Sequence, residues 1–205
     1  MSDRFFFLGI SNYLKKMESF KHYLNTFCEI PEKQIDALID IFKPKTLKKG
    51  DFYAKEGEIC KKLAFLSKGI IRAYYQNDKG AEYNKLFFKE PAIVAGYSSL
   101  ITGQENLINI QCLSDCEILE VNFKQIIDLY EKYPLIERLN RTIAEDFFVK
   151  KERREMSLVM FDAEKRYHLF QEEYPGLENE VPQYQIASYL GVTATQLSRI
   201  RGQKN

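Results

Sequence analysis

A chain of 205 residues is long enough for one ordinary domain plus a smaller one, and a hydrophobic fraction of 45% argues for a proper core and against disorder. A net charge of +1 excludes a uniformly basic or acidic protein, so a charged partner must be met by a local patch. Such a patch lies at the end of the chain. From Val181 to Asn205 no acidic residue occurs, whereas Arg199, Arg201 and Lys204 are basic.

The N-terminal run Phe5-Phe6-Phe7-Leu8-Gly9-Ile10 is far shorter than a membrane span and lacks a signal peptide's cleavage pattern. It reads as an apolar segment that packs on its own domain or on a partner subunit. A cytoplasmic protein without membrane contact is expected. Residues 12–43 read as short helices, one opened by Asn12-Tyr13-Leu14 and another by Pro31-Glu32-Lys33-Gln34. The second carries Ile35, Leu38, Ile39 and Phe42 at helical spacing, and Pro44 closes it.

From Lys45 to about Val121 the texture changes. Short apolar or alternating runs are cut by turn residues such as Lys49-Gly50-Asp51, Glu56-Gly57-Glu58, Asn77-Asp78-Lys79-Gly80 and Ser114-Asp115. Punctuation every roughly 7–12 residues, with β-branched and aromatic residues between, predicts an all-β sandwich or barrel. Leu63–Leu66 and Ile70–Tyr75 read as two strands joined by a tight turn at Gly69, with a hairpin bend at Asn77–Gly80 and a closing strand at Glu117–Val121. Cys28, Cys60, Cys112 and Cys116 form no CxxC pair, which predicts reduced, ordinary thiols and neither a disulfide framework nor a zinc site. Cys112 and Cys116 are expected on one face of a strand.

Helix returns after Phe123. Pro134 starts a long one, with Leu135, Leu139, Ile143 and Phe147 at four-residue steps and Ile136 and Phe148 widening the stripe. If helical to Met160 it spans about 40 Å, too long to bury its stripe on one compact domain. The surplus predicts a homodimer built on those four residues. Phe161-Asp162 reads as a joint, with Asp162 capping a further helix that ends near Tyr174-Pro175-Gly176. The expected organisation is a mainly β domain with N-terminal helices over 1–133, a dimerisation helix and hinge over 134–161, and a small helical domain over 162–205.

Residues 183–201, QYQIASYLGVTATQLSRIR, meet the steric demands of a helix-turn-helix. Ile186 and Leu190 face the second helix, and Ala187 is small where the helices touch. Gly191 suits the left-handed turn residue, Val192 plugs the turn, and Leu197 and Ile200 point inward. Thr193 and Gln196 form a capping box that starts the second helix. Its outward set (Thr195, Gln196, Ser198, Arg199 and Arg201, with Thr193 before it and Lys204 after it) is polar or basic, the chemistry that reaches base edges and phosphates. Gln196, engaged in the box, is not free to read adenine.

On TLKKGDFYAKEGEICKKLAFLSKGIIRAYY, MFDAEKR and VPQYQIASYLGVTATQLSRIR the chain resembles the catabolite-activator (Crp/Fnr) family of transcription regulators over residues 35–205, in a form similar to a Bacteroidetes-type branch. The resemblance implies an α+β fold: an N-terminal cyclic-nucleotide-binding-type β-roll (jelly roll), a long dimerisation helix, and a C-terminal winged or wing-reduced helix-turn-helix. It implies double-stranded DNA as partner, a homodimer, and RNA polymerase as a further candidate. Members that bind cyclic AMP carry a Gly-Glu step for the ribose and an Arg-Ser step for the phosphate. Those steps fall here on Ala95-Gly96 and Asn106-Leu107, so the carboxylate and guanidinium are missing and cyclic AMP is not the expected effector. A pocket near Gly96, Tyr97, Ser98, Asn106 and Leu107 then either takes another small molecule or serves packing alone. In the reading helix, Arg199 matches the family's base-reading arginine, whereas the arginine-glutamate pair at the helix start becomes Ala194-Thr195.

No cofactor is expected. The iron–sulfur branch needs a cysteine cluster where Cys28 stands alone, and His22 is the one histidine available to haem in the sensing half. Catalysis on a metal-bearing β-roll would need converging histidines, but the chain holds only His22 and His168, so an enzyme is not expected. The remaining rival is a module whose helical tail binds another protein, which would bind DNA weakly and without salt sensitivity.

Overall fold

The computed structural model describes the backbone over residues 2–202 and side chains from Tyr13 onward. The first helix, α1 (Ser2–Asn25), starts well before Asn12. Gly9, the weakest helix former in this stretch, is too small a penalty to stop it. The side chains of Phe5–Ile10 lie outside the described residues. Phe20 stacks on Phe65 at 4.4 Å and meets the edge of Phe42 at 4.8 Å, so α1 covers the outer face of the sheet to which Phe65 belongs. α2 (Glu32–Ile39) follows, burying Ile35, Leu38 and Ile39.

Among the described residues eight strands form two antiparallel sheets in a jelly-roll arrangement. One has the order β1 (Lys43–Leu47), β8 (Cys116–Asn122), β3 (Lys62–Lys68), β6 (Ala92–Val94). The other has β2 (Phe52–Ala54), β7 (Asn109–Cys112), β4 (Ile70–Gln76), β5 (Glu82–Lys89). Ala64, Leu66, Ile71, Ile110 and Ile118 fill the space between them. β3 and β4 are joined at Gly69 as expected, but they belong to different sheets and do not pair. Gly69 turns that corner at φ +107°, and a Cβ there would sit 2.6 Å from the Asp115 carbonyl oxygen and 2.7 Å from Cys116 Sγ. Cys112 and Cys116 likewise lie on different strands in opposite sheets. The intervening Leu113-Ser114-Asp115 carries the chain across the core, which corrects the single-strand expectation. Both thiols are buried and free.

The β6–β7 connection holds α3 (Tyr97–Thr102), and α4 (Phe123–Ile127) follows β8. α5 runs from Pro134 to Met160, as the spacing predicts. Its first half packs on the roll: Ile136, Leu139 and Ile143 are buried with Leu38, Phe123 and Ile126. Leu139 and Ile143 are therefore covered by their own subunit, Leu135 and Phe147 are partly so, and the expectation that these side chains meet a second copy does not hold for the buried pair. The apolar surface left open lies further along, at Phe148, Met156, Val159 and Met160, with Val159 87% exposed.

Asp162 caps α6 (Ala163–Glu173) by accepting from the Lys165 N–H at 2.8 Å. A short 3-10 turn (Leu177–Asn179) leads to α7 (Gln183–Leu190) and α8 (Ala194–Gly202). Tyr167, Phe170, Leu177, Ile186, Leu190 and Leu197 share a third core with Ile70 and Phe87 of the roll. Among the described residues no helix is long and apolar enough to cross a membrane.

Candidate nucleic-acid interface

α7 and α8 meet through Ile186, Ala187, Leu190 and Leu197, all buried, with Val192 and Ile200 partly covered. Gly191 ends α7 at φ +67°. Its N–H bonds to the Ser188 carbonyl and that of Val192 to the Ala187 carbonyl at 3.0 Å, a Schellman closure that only a residue at ease in left-handed space permits. Two arginines supply further donors: Arg154 of α5 to the Tyr189 carbonyl, and Arg166 of α6 to the Leu190 carbonyl at 3.0 Å. These cations sit at the negative end of α7, where its unpaired carbonyls collect.

α8 begins with the expected capping box. The Thr193 N–H donates to Gln196 Oε1 at 2.9 Å, and the Gln196 N–H donates to Thr193 Oγ1 at 3.1 Å. Thr193, Thr195, Gln196, Ser198 and Arg199 are exposed. Arg201 is not equivalent to them: it is half-buried, and its charge lies near the Tyr167 hydroxyl, which donates to Glu178 at 2.5 Å. Lys204 lies outside the described residues. An open groove of about 400 Å³, lined by Glu82, Tyr83, Tyr184, Ser188, Thr193 and Gln196, separates β5 from the start of α8.

The expected pocket is only partly assembled. Gly96 and Asn106 do converge, since a Cβ on Gly96 would come 3.0 Å from Asn106 Oδ1 and 2.5 Å from Cys60 Sγ. The Asn106 side chain is buried and donates to the Ile108 carbonyl at 2.5 Å, while its backbone N–H bonds to the Glu58 carbonyl at 2.8 Å. Leu107, by contrast, is 73% exposed, and Ser98 faces solvent. The Tyr97 ring edges onto Phe123 of α4 at 6.3 Å, and burial pushes the pKa of its hydroxyl up. Tyr97 therefore packs α3 against α4. Ser99, which sequence patterning does not single out, is a second buried polar group here, accepting from the Cys60 N–H at 2.9 Å. Nothing in its local spacing marks it, because its burial follows from the fold of α3 against the Cys60 loop.

Residues 44–133 match the family model of the cyclic nucleotide-binding domain. No curated protein matches the chain significantly. Among solved structures, the c-di-GMP-responsive global regulator CLP of Xanthomonas campestris is similar with a TM-score of 0.67 at 13% identity, covering 84% of this chain and 91% of its own. FixK2 from Bradyrhizobium japonicum gives 0.68 at 16% identity over 80% and 84%. A crp/fnr-family transcriptional regulator from Eubacterium rectale gives 0.65 at 16% identity over 83% and 82%. The chain thus contains a cyclic nucleotide-binding-type domain and shares the overall fold of Crp/Fnr-type regulators.

Proposed function

We propose that this protein is a DNA-binding transcription regulator of the Crp/Fnr type that reads an inverted-repeat site as a homodimer. α7 and α8 act as its helix-turn-helix, with α8 entering the major groove. The observation that carries the reading is the exposed face of α8: Thr195, Ser198 and Arg199 on a capped helix, without a carboxylate among them. Arg199 is the base reader, able to give two parallel hydrogen bonds to one guanine, while Arg201 and Lys204 serve the phosphate backbone. Dimerisation uses the open apolar surface on the second half of α5. The role places the protein in the cytoplasm, with RNA polymerase as a further partner at the promoter.

The effector is not cyclic AMP. Asn106 stands where a guanidinium is needed, and its amide carries no charge and already donates to the Ile108 carbonyl, so a buried cyclic phosphate would go uncompensated. The roll serves either an uncharged or differently charged small ligand or packing alone.

Titration of duplex DNA across a salt series, with the mass of the complex measured alongside, tests the proposal. Two protomers per duplex and an affinity that falls steeply with salt are expected. Weak, salt-insensitive binding would favour the protein-interaction module instead.

A further inference from the structure

We infer that Arg72, a residue of the β-roll, is a positioning residue for the reading helix, acting through Gln185 to hold α7, and hence α8, at a fixed angle to the roll. The inference rests on the DNA-reading role of α8 and adds to it a part for the sensing domain.

Arg72 is 5% exposed on β4, and each of its three guanidinium nitrogens donates a hydrogen bond. Nε and Nη2 donate to Gln111 Oε1 on neighbouring β7 at 3.2 and 2.7 Å. Nη1 donates to Glu82 Oε2 on β5 at 2.5 Å and to Gln185 Oε1 on α7 at 2.8 Å. The Tyr74 ring lies against the cation at 3.8 Å. Glu82 neutralises the charge within the roll, so the bond to Gln185 is not required for charge balance and its effect is directional.

Gln185 is itself 3% exposed and takes a second donor, since Asn84 Nδ2 bonds to its Oε1 at 2.5 Å and to its backbone carbonyl at 2.8 Å. One turn on, Ser188 Oγ donates to the Glu82 carbonyl at 2.9 Å and accepts from the Asn84 N–H at 3.0 Å. β5 is an edge strand, and Ser188 thus occupies the backbone positions that a further strand would have paired. Phe87 of β5 adds aromatic contacts to Phe170, Tyr174 and Tyr189. Those rings supply adhesion that tolerates sliding, whereas the amide, hydroxyl and guanidinium accept one geometry. Asn84 Oδ1 is buried without a partner, a cost that fits a network kept for direction more than for net stability. In this docked arrangement Thr195, Ser198 and Arg199 face solvent, so docking leaves the reading face free.

The test compares the unaltered protein with a Gln185→Ala/Ser188→Ala variant, which leaves the Arg72–Glu82–Gln111 contacts of the roll in place, and with a charge-swapped Glu82→Gln/Gln185→Glu variant, in which both side chains still accept from Arg72 and one carboxylate still balances it. Hydrogen exchange across β5 reads docking without DNA, and duplex titration reads positioning. The double-alanine variant is expected to exchange about tenfold faster in β5 and to bind about tenfold more weakly, with base preference, salt slope and melting of the roll unchanged. The charge-swapped variant is expected to retain both the slow exchange and the affinity. Unchanged exchange, unchanged affinity despite faster exchange, or tighter binding would each overturn the inference. Failure of the unaltered protein to bind any duplex is a failure of the DNA reading itself, distinguishable because the exchange rates report the lock independently.

Discussion

The guanidinium of Arg154 on α5 donates to the backbone carbonyl of Tyr189 in the last turn of α7 and lies over the Tyr189 ring, 4.0 Å from its centroid. One side chain thereby couples the long helix to α7, at the end opposite Gln185. Burial lowers the pKa of Arg154, which marks the cost of seating a cation here, and the carbonyl and ring face offset it.

Replacing Arg154 with Met keeps the aliphatic stem and removes both contacts. The expected loss is about 1–3 kcal/mol of stability, seen as a lower urea midpoint with an unchanged slope. Arg154→Lys should recover only part of it, because an ammonium lacks the planar fork that spans carbonyl and ring.

The capping box separates helix stability from DNA recognition. Gln196→Ala removes the acceptor for the Thr193 N–H and should cost about 1 kcal/mol. Gln196→Glu keeps a capping acceptor but puts a carboxylate on the exposed face of α8. Thermal unfolding should be unchanged in that variant while duplex affinity falls severalfold through phosphate repulsion. Equal affinity for the Gln and Glu forms would place α8 away from the DNA.

Charging the open end of α5 should break the dimer without unfolding the subunit. Met156→Glu with Val159→Glu is expected to sediment as a folded monomer at micromolar concentration, since both side chains are exposed within the subunit. Leu139→Glu, buried in the subunit's own core, should instead unfold it. A folded monomer from the unaltered protein would contradict the dimer.

What could be read from the sequence follows from how local each signal is. Gly191, the Thr193–Gln196 box, the Asp162 cap and the Pro134 start are set by neighbours a few residues apart, and each stands where spacing puts it. Periodicity exposes the apolar stripe on α5 but does not say what covers it, so Leu139 and Ile143 were legible as apolar and not as intramolecular core. The sheet assignments of β3, β4, Cys112 and Cys116 depend on corners at Gly69 and Ser114, where one turn signal serves a hairpin and a crossing alike. The Arg72–Gln185 contact, spanning 113 positions, has no local signature at all.

Acid should loosen the β1–β8–β3 side of the roll. Glu120 on β8 is partly desolvated, which raises its pKa, yet bonds from Lys62 at 2.6 Å and Lys45 at 3.2 Å outweigh this and leave it below the usual glutamate range. A carboxyl lowered on folding adds stability that is fully present above its unfolded pKa and is lost as pH falls through the folded value. The urea midpoint should therefore drop from neutral pH to about pH 3, and Glu120→Gln should lower the neutral value and flatten that drop. An unaltered acid dependence in the variant would remove Glu120 from the account.

The central claim, that α8 reads base pairs in duplex DNA, is tested most directly by selecting binding sites from a randomised duplex library with the unaltered protein and with Arg199→Ala. The unaltered protein should recover an inverted repeat with half-sites about 34 Å apart, and Arg199→Ala should lose about 1–3 kcal/mol and relax one symmetric base-pair position. Identical affinity and identical base preference in the two proteins would show that this helix is not the reading head.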